Sequence, residues 1–358
     1  MVCMPTFEAK LAFLQTPQAW GDPTWPVASL ETHMSWVFLV GERVFKLKKP
    51  VRFPYLDFTT LQARELYCRE ELRLNTRLAP GVYQGLMALQ WDGARFTLVP
   101  ELEVALPWCT VDWLVAMRRL PAQRMLQAVL AQGAVTTADV DGLTEVLSAF
   151  YRNASRVAIS PGEYLTRFQR EQACNREVLL RPQFDLPDAA RALDDLDRVL
   201  SRDGELLQAR VRCARIVDGH GDLRPEHVCL LQPPVVIDCL EFNPALRAVD
   251  PFDELAYLGL ECALAGGAWV GPRLVAGCAA QLGDQPSTGL LPIYTAHRAL
   301  LRARLAMAHL LDPAPRTPER WPLLAQRYIG AARTALASLT TRQSHGCLRW
   351  PVPAAQPR

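Results

Sequence analysis

The stretch that decides the fold reads His220-Gly221-Asp222-Leu223-Arg224-Pro225-Glu226-His227. It is a polar loop with a glycine beside its aspartate. Two apolar runs follow at 228–231 and 235–238, separated by two prolines, and this pattern predicts a small two-stranded ribbon. Because Asp238 ends the second run, the ribbon can bring the carboxylates of Asp222 and Asp238 to the mouth of one cleft.

Two carboxylates in one cleft suit phosphoryl transfer. One can orient and deprotonate an attacking hydroxyl, while the other holds the magnesium ion that bridges nucleotide phosphates. A single loop aspartate is more often a cap for a helix or a turn, so the prediction depends on the pair. On this basis Asp222 is the candidate catalytic residue and Asp238 the candidate metal ligand.

The composition excludes several classes of protein. The chain has 358 residues, half of them hydrophobic, and its formal net charge of +2 is too small to predict a nucleic-acid partner. Its longest apolar run, around 255–270, is interrupted by Glu261 and is shorter than the roughly 20 residues that a spanning helix needs. Glu8 and Lys10 stand where a secretory signal would be apolar, so we expect a cytoplasmic protein with no membrane partner.

Cysteine and lysine usage adds two observations. The ten cysteines form no C-x-x-C pair, which favours reduced, mostly buried thiols over a zinc site. The chain has four lysines, and three of them, Lys46, Lys48 and Lys49, lie in the six-residue stretch 44–49 at the end of a predicted strand. A compact ammonium group suits phosphate oxygens in a tight site. An exposed basic strand end would explain the same cluster.

The order of predicted elements changes along the chain. Residues 35–47 predict a hairpin, 59–78 a helix, and 83–89, 96–99 and 111–117 further strands. Beyond residue 118 the pattern becomes helical, at 122–132, 137–154, 162–180 and 188–207, and again after residue 253. This order predicts a small sheet with one helix, followed by a mostly helical part.

The loop at 220–227 resembles the catalytic loop of the aminoglycoside phosphotransferase family, written H-G-D-x-x-x-x-N. Asp238 resembles the metal-binding aspartate of that family, and residues 250–256 resemble its D-P-x-x-D-L-A segment. Within the protein-kinase-like superfamily, the chain is most similar to a bacterial branch of phosphotransferase-like proteins of unassigned substrate. The hallmarks of that branch, within a resemblance spanning roughly 31–311, read Glu31-Thr32-His33-Met34-Ser35-Trp36-Val37, Arg73-Leu74-Asn75-Thr76-Arg77-Leu78-Ala79-Pro80 and Asp238-Cys239-Leu240-Glu241-Phe242-Asn243.

The resemblance implies an α+β, two-lobed, protein-kinase-like fold. Residues 1–118 would form a nucleotide-binding N-lobe built on an antiparallel sheet. Residues 119–345 would form a helical C-lobe with the catalytic loop and the metal ribbon, and 346–358 would be a disordered tail. ATP and Mg²⁺ are the implied cofactors. The strand around 113–117 would lead into the hinge that reads the adenine.

The resemblance also assigns residues to the nucleotide site and to the loop. Lys46 would reach the phosphates of ATP, with Lys48, on the same face of the strand, as the alternative. Kinase-like folds hold this lysine with a glutamate, and Glu71 is our choice. Glu70 lies about 100° away around the helix, so one of the two glutamates can serve.

The resemblance also assigns His220 and Asp253 to the support of the catalytic loop.

The sequence departs from the family pattern at His227, which replaces the metal-binding asparagine. A neutral imidazole is a softer ligand than Mg²⁺ prefers. His227 would therefore contact phosphate or substrate, weaken one metal site, bind a different divalent ion, abolish activity, or bond only the loop backbone.

Two other motifs are missing. Residues 31–35 contain none of the glycines of a protein-kinase nucleotide loop, which argues against a protein kinase. A Walker A motif does not occur in the sequence, so no P-loop site is predicted.

The acceptor substrate is predicted only as a small molecule. After Cys262 the sequence has eleven arginines and three acids, and Arg298 and Arg302, four residues apart, share a helix face that could meet an anionic substrate. A solvated arginine face is the alternative, and an acidic helix at 188–205 keeps a cationic substrate open. The predicted function is a small-molecule kinase acting on a hydroxyl. The alternatives are a nucleotide-binding pseudokinase and a nucleotidyl transferase, and the oligomeric state is not predicted.

Overall fold

The computed structural model describes residues 4–22, 24–53, 55–312, 315 and 317–344, so the predicted tail at 346–358 lies outside the described residues. The first part contains α1 (Phe7–Leu14), β1 (Val27–Glu31), β2 (Ser35–Val40), β3 (Arg43–Lys48), β4 (Arg52–Phe53), β5 (Leu56–Asp57), α2 (Leu61–Asn75), β6 (Tyr83–Trp91), β7 (Phe96–Pro100) and β8 (Thr110–Arg118). Six of these strands form one antiparallel sheet in the order β1-β2-β3-β8-β6-β7.

The remaining part is mostly helical, as predicted. It contains α3 (Leu126–Ala131), α4 (Thr137–Asn153), α5 (Pro161–Leu179), α6 (Ala189–Asp203), α7 (Glu205–Arg212), β9 (Val217–Asp218), β10 (Val228–Cys229), β11 (Val235–Val236), α8 (Pro244–Arg247), β12 (Ala248–Val249), α9 (Pro251–Leu264), α10 (Val270–Leu282), α11 (Leu290–Ala308) and α12 (Arg320–Ser344). The predicted α+β architecture with a sheet lobe and a helical lobe is confirmed.

Alternation along β3 sets the two faces of the sheet. Phe45 and Leu47 are buried in the core beneath α1, and Lys46 and Lys48, which alternate with them, point to the opposite face, toward α2. The helix α2 begins where the side chain of Thr60 accepts a hydrogen bond from the Ala63 N–H, and it packs on β8 and β6. These packing contacts bring one helix over the face of the sheet that carries the lysines.

The ribbon and the helix α9 position the loop of the second lobe. The strands β10 and β11 pair antiparallel, as the two apolar runs predict. The helix α9 begins at Asp250, whose side chain accepts from the Phe252 N–H, with a proline in the first helical position. The loop follows β9, which pairs antiparallel with β12 just before α9, and it leads into β10, so both of its ends are attached to regular structure.

One element differs from its prediction. Residues 188–207 form parts of two helices, α6 and α7, which meet at Gly204. A Cβ at Gly204 would lie 2.4 Å from the Leu200 carbonyl oxygen of α6 and 3.0 Å from the Leu165 side chain of α5, so the backbone at this junction leaves no room for a side chain. Helical periodicity does not register such a break.

Candidate active site

Lys46 lies where the two lobes meet. Its Nζ is 2.9 Å from Glu71 Oε1 and 2.8 Å from Asp238 Oδ1, and its side chain is 17% exposed. Burial alone would lower the pKa of Lys46, but Asp238 and Glu71 raise that pKa well above its ordinary value. The lysine is therefore a fixed positive charge directed at the cleft.

Lys48 lies on the same face of β3 but is buried. Its side chain is 1% exposed, with Nζ 2.7 Å from Glu71 Oε2 and a second ion pair to Glu241. Of the two lysines, Lys46 is the one that reaches the cleft. The alternative assignment of Lys48 as the phosphate contact does not fit this burial.

Glu71 and Glu70 are separated by the rotation of α2. Glu71 is buried between the two lysines, whereas Glu70 pairs with Arg73 at the surface. Burial alone would raise the pKa of Glu71, but the ammonium groups of Lys46 and Lys48 lower it below its ordinary value. The structure places Glu71, and not Glu70, beside the lysines.

Asp238 follows β11 with a positive φ of 62°, a left-handed conformation that non-glycine residues rarely adopt. Its backbone N–H donates to Tyr83 Oη at 3.3 Å, and its side chain is 47% exposed in the cleft. Burial would raise the pKa of Asp238, but Lys46 and then His227 lower it well below its ordinary value. The carboxylate is ionised and accessible, as a metal ligand must be.

His220 joins the loop to the ribbon. Its buried ring donates from Nε2 to the Ile237 carbonyl at 2.9 Å, and Nδ1 accepts from the Asp222 N–H at 3.2 Å, an assignment that follows from the hydrogen-bond network. Burial lowers the pKa of His220 to about 4. A neutral imidazole thus fixes Asp222 relative to Asp238.

The carboxylate that supports the loop belongs to Glu254. It accepts from the His220 N–H at 2.9 Å, from the Gly221 N–H, and from the Tyr151 hydroxyl at 2.9 Å. The prediction that Asp253 supports the loop is wrong about this contact. The two acids are neighbours on α9 and point in different directions, and Asp253 faces α11 instead.

Asp222 has a polar surrounding that keeps its carboxylate charged. Tyr257 donates to Oδ1 at 3.2 Å, and Arg224 Nη2 lies 2.9 Å from Oδ2. Burial alone would raise the pKa of Asp222, but Arg224, His227 and Arg302 lower it. A low pKa suits a carboxylate that orients a hydroxyl better than one that removes its proton early.

His227 lies between the two aspartates. Its Nδ1 donates to the Asp222 backbone carbonyl at 2.8 Å, and its Nε2 is 3.4 Å from Asp238 Oδ2. With the proton on Nδ1, Nε2 faces Asp238 and also accepts from Arg224 Nη2 at 3.4 Å, and a ring held through Nδ1–H in this way is the usual arrangement for a histidine ligand. Backbone bonding and a ligand role are therefore compatible in this residue.

The donor set fits a magnesium ion that arrives with a nucleotide. Among the described residues, no group of three or more His, Cys, Asp or Glu side chains could hold a metal ion. Mg²⁺ is usually bound by one or two carboxylates together with phosphate oxygens and waters. Asp238, with His227 beside it, supplies the one or two protein ligands that such an ion needs.

The two predicted substrate arginines differ from each other. Arg298 is buried and forms a two-pronged pair with Asp253, at 2.8 and 2.7 Å, so its side chain is not open to a substrate and that prediction is corrected. Arg302 is 20% exposed and binds Glu261 at 3.0 Å. The charge of Arg302 is among the causes that lower the pKa of Asp222.

Comparison with known proteins gives related sequences and a fold. No family model matches the chain. Uncharacterized proteins of Mycobacterium tuberculosis and Mycobacterium bovis are each 31% identical to it over 317 residues, and the alignment covers 86% of this chain and 60% of each relative. The chain thus spans about 60% of the length of the curated relatives it matches.

A solved choline kinase from Cryptosporidium parvum superposes with a TM-score of 0.56 at 10% identity, covering 95% of this chain and 96% of the other. The chain has the kinase-like fold. Its sheet lobe with α2 and its helical lobe with the ribbon are the two lobes of that fold, and Lys46, Asp222 and Asp238 lie between them. Within the described part of the chain, none of the helices has the length and apolarity to cross a bilayer.

In this kinase-like fold, several residues of the site were missed from the sequence. Arg224 stands two residues after Asp222, and its charge beside a candidate catalytic carboxylate was a usable signal. Glu254 and Glu241 lie within segments that carry the resemblance, but neither spacing nor burial pattern distinguishes them from neighbouring polar residues. Tyr257 could not be predicted as a site residue, because a tyrosine within an apolar helix is typical of the hydrophobic core.

Proposed function

We propose that the protein is an ATP-dependent phosphotransferase that phosphorylates a hydroxyl group of a small molecule. The observation that carries the proposal is the continuous arrangement of Lys46, Asp238, His227 and Asp222 across one cleft. Lys46 and Asp238 are 2.8 Å apart, Asp238 and His227 are 3.4 Å apart, and His227 bonds the backbone of Asp222 at 2.8 Å.

Each residue has a definite task in this proposal. Lys46, held by Glu71, binds the phosphates of ATP, and Asp238 with His227 would hold the metal. When bound, a magnesium ion neutralises charge on the phosphates. Asp222 orients the acceptor hydroxyl, whose oxygen forms a bond to the γ-phosphorus while the bond to the β–γ bridging oxygen breaks. The hydroxyl proton passes to Asp222, and ADP leaves.

The choline kinase shares the fold with this chain at 10% identity, so it supports the class of chemistry and not a particular acceptor. Arg224, 2.9 Å from Asp222 Oδ2, also pairs with Glu226, so groups of both charges lie beside Asp222. These groups favour a polar acceptor of low molecular weight. A reaction that consumes ATP is also consistent with a protein located in the cytoplasm.

A pseudokinase is the second candidate, because of His227. An imidazole replaces the harder amide oxygen that the family motif supplies, and softer donors are poorly matched to Mg²⁺. In that case the cleft would bind nucleotide and turn it over slowly or not at all.

The test compares the wild type with Asp222→Asn in the presence of ATP, Mg²⁺ and a panel of small hydroxyl compounds. We expect wild-type ADP formation that the substitution lowers by about 10²–10⁴-fold, while nucleotide affinity is retained. Thermal stabilisation by nucleotide without any turnover would support the pseudokinase instead. Products that carry AMP, detected by mass spectrometry, would indicate nucleotidyl transfer.

A further inference from the structure

The second lysine of β3 has no place in the reaction just described. Lys48 is buried, and its Nζ contacts Glu71 on α2 and Glu241 on the segment that follows Asp238. We propose that Lys48 and Glu241 are positioning residues, which clamp the segment 238–241 to α2 and so hold Asp238 and Lys46 in register for a metal–nucleotide complex. This inference rests on the proposed function.

One carboxylate couples the clamp to the cleft. Oε1 of Glu71 lies 2.9 Å from Lys46 Nζ, and Oε2 lies 2.7 Å from Lys48 Nζ. A shift of Lys48 must therefore move Glu71, and with it the lysine assigned to the phosphates. Lys46 in turn lies 2.8 Å from Asp238, so the charged contacts run from Asp238 to Glu241 and the backbone of segment 238–241 closes the circuit.

The backbone of the same segment is attached to α2 and to the catalytic loop. The Cys239 N–H donates to Asn75 Oδ1 at 2.9 Å, and Asn75 donates to the Glu71 carbonyl at 2.8 Å. The Leu240 N–H donates to the His220 carbonyl at 3.0 Å. Glu241 adds a side-chain attachment one residue further on.

The surroundings of the clamp exclude water. Lys48 Nζ lies 5.1 Å from the ring centroid of Phe58, and Phe58 is buried in one apolar cluster with Phe242. In such a place an ion pair is weakened little by solvent, and the loss of one partner leaves an uncompensated charge. The ion pair between Lys48 and Glu241 therefore restricts the position of the segment strongly.

A purely electrostatic role would have a different signature. The circuit contains two lysines and three carboxylates, so it carries one excess negative charge that favours a cation. Glu241→Gln removes a negative charge and Lys48→Met removes a positive one. Charge alone would thus make the two substitutions act in opposite directions on metal affinity, whereas loss of positioning makes both weaken it.

The experiment measures binding of Mn²⁺ with ADP by calorimetry to the full chain. It uses the wild type, Glu241→Gln, Lys48→Met and the double variant. Asp284→Asn is the matched control, because Asp284 is a buried carboxylate paired with Arg210 in the helical lobe. Amide hydrogen exchange at Cys239 and Leu240 is followed in the same proteins without ligand.

The clamp predicts that each single variant weakens Mn²⁺ binding by about 10–100-fold and that Asp284→Asn binds Mn²⁺ as the wild type does. The affinity of the double variant for Mn²⁺ should be no lower than that of the single variant that binds more weakly. Tighter or unchanged binding by Lys48→Met would overturn it. If the wild type does not bind Mn²⁺ with ADP, the proposed function fails. The hydrogen-exchange data then test the clamp by themselves. The clamp predicts that the amides of Cys239 and Leu240 exchange faster in Glu241→Gln than in the wild type and in Asp284→Asn. Equal exchange rates would overturn it.

Discussion

Glu71 and Glu70 show how one residue of helix rotation separates a functional carboxylate from a surface one. Glu71 is shared by two lysines in the interior, and Glu70 forms an exposed pair with Arg73. Exposed ion pairs of this kind contribute about 0–1 kcal/mol, whereas the loss of one partner from a buried pair costs several times more.

We therefore expect Glu71→Gln to lower the free energy of unfolding by about 3–5 kcal/mol and to raise the KM for ATP. Glu70→Gln is the matched control and should change the free energy of unfolding by less than about 1 kcal/mol. Urea denaturation measures both. Equal effects of the two substitutions would contradict the assignment of Glu71.

His227 gives a second prediction at the residue scale. Replacement by asparagine supplies a hard oxygen donor in the place of an imidazole nitrogen, near Asp238. His227→Asn should raise the apparent affinity for Mg²⁺ by roughly tenfold in the nucleotide-bound protein. His309→Asn, whose ring stacks on Trp321, is the control. An unchanged Mg²⁺ dependence would leave His227 as a loop-backbone contact.

At the scale of elements, the helix α9 holds the catalytic loop through Glu254. The carboxylate accepts three hydrogen bonds, two of them from the loop backbone, and a glutamine offers one acceptor oxygen and an unwanted N–H₂ group. The geometry of Asp222 depends on these bonds, whereas the position of Lys46 does not.

Glu254→Gln should accordingly lower kcat by at least about tenfold and leave the KM for ATP nearly unchanged. Steady-state kinetics at varied ATP gives both values. The exposed Glu205→Gln in α7 is the control for loss of a carboxylate. A change in KM with a normal kcat would mean that Glu254 acts on nucleotide binding instead.

At the scale of the whole molecule, two buried histidines make stability depend on pH. Burial lowers the pKa of His220 and of His297 to about 4, compared with about 6.5 in an unfolded chain. Between these values the unfolded chain binds protons that the folded protein cannot, so the free energy of unfolding falls as the pH falls from about 6.5 toward 4. Above about 6.5 this penalty is absent.

His297→Phe tests the effect at a site away from the cleft. Its ring packs on Phe168 at 4.3 Å, so a phenyl group fits the place. The variant should show a smaller decrease in unfolding free energy between pH 6.5 and 5 than the wild type, because one of the histidines with a lowered pKa is gone. Chemical denaturation across that range measures it, and an unchanged slope would contradict the prediction.

The sequence predicted the parts of the fold and site that depend on local pattern. Asp222 and Asp238 were predicted because the loop and ribbon are short and contiguous, and Lys46 was predicted from the family resemblance, with Lys48 on the same strand face as the alternative. The resemblance assigned Asp253 to the loop, but Glu254 makes the contact, because a motif does not say which of two adjacent acids faces the loop. The lobe boundary at residue 118 and the chemical roles of the site remain predictions.

Long-range pairs could not be predicted in the same way. Arg298 was a candidate substrate contact, with a solvated arginine face as the alternative, but it pairs with Asp253, which lies 45 residues away on another helix. Lys48 and Glu241 are 193 residues apart, and only the packing of the lobes brings them together. A sequence pattern predicts that one face of a helix or strand is charged, but it does not show which charged residue packs against that face.

The most direct measurement follows the γ-phosphoryl group of labelled ATP into a mixture of small metabolites, with the wild type and with Asp222→Asn. If the central claim is correct, the label appears on a hydroxyl of a small molecule, ADP accumulates in equal amount, and both signals depend on Asp222. Label that remains on ATP despite nucleotide binding, or transfer that persists in Asp222→Asn, would contradict the claim.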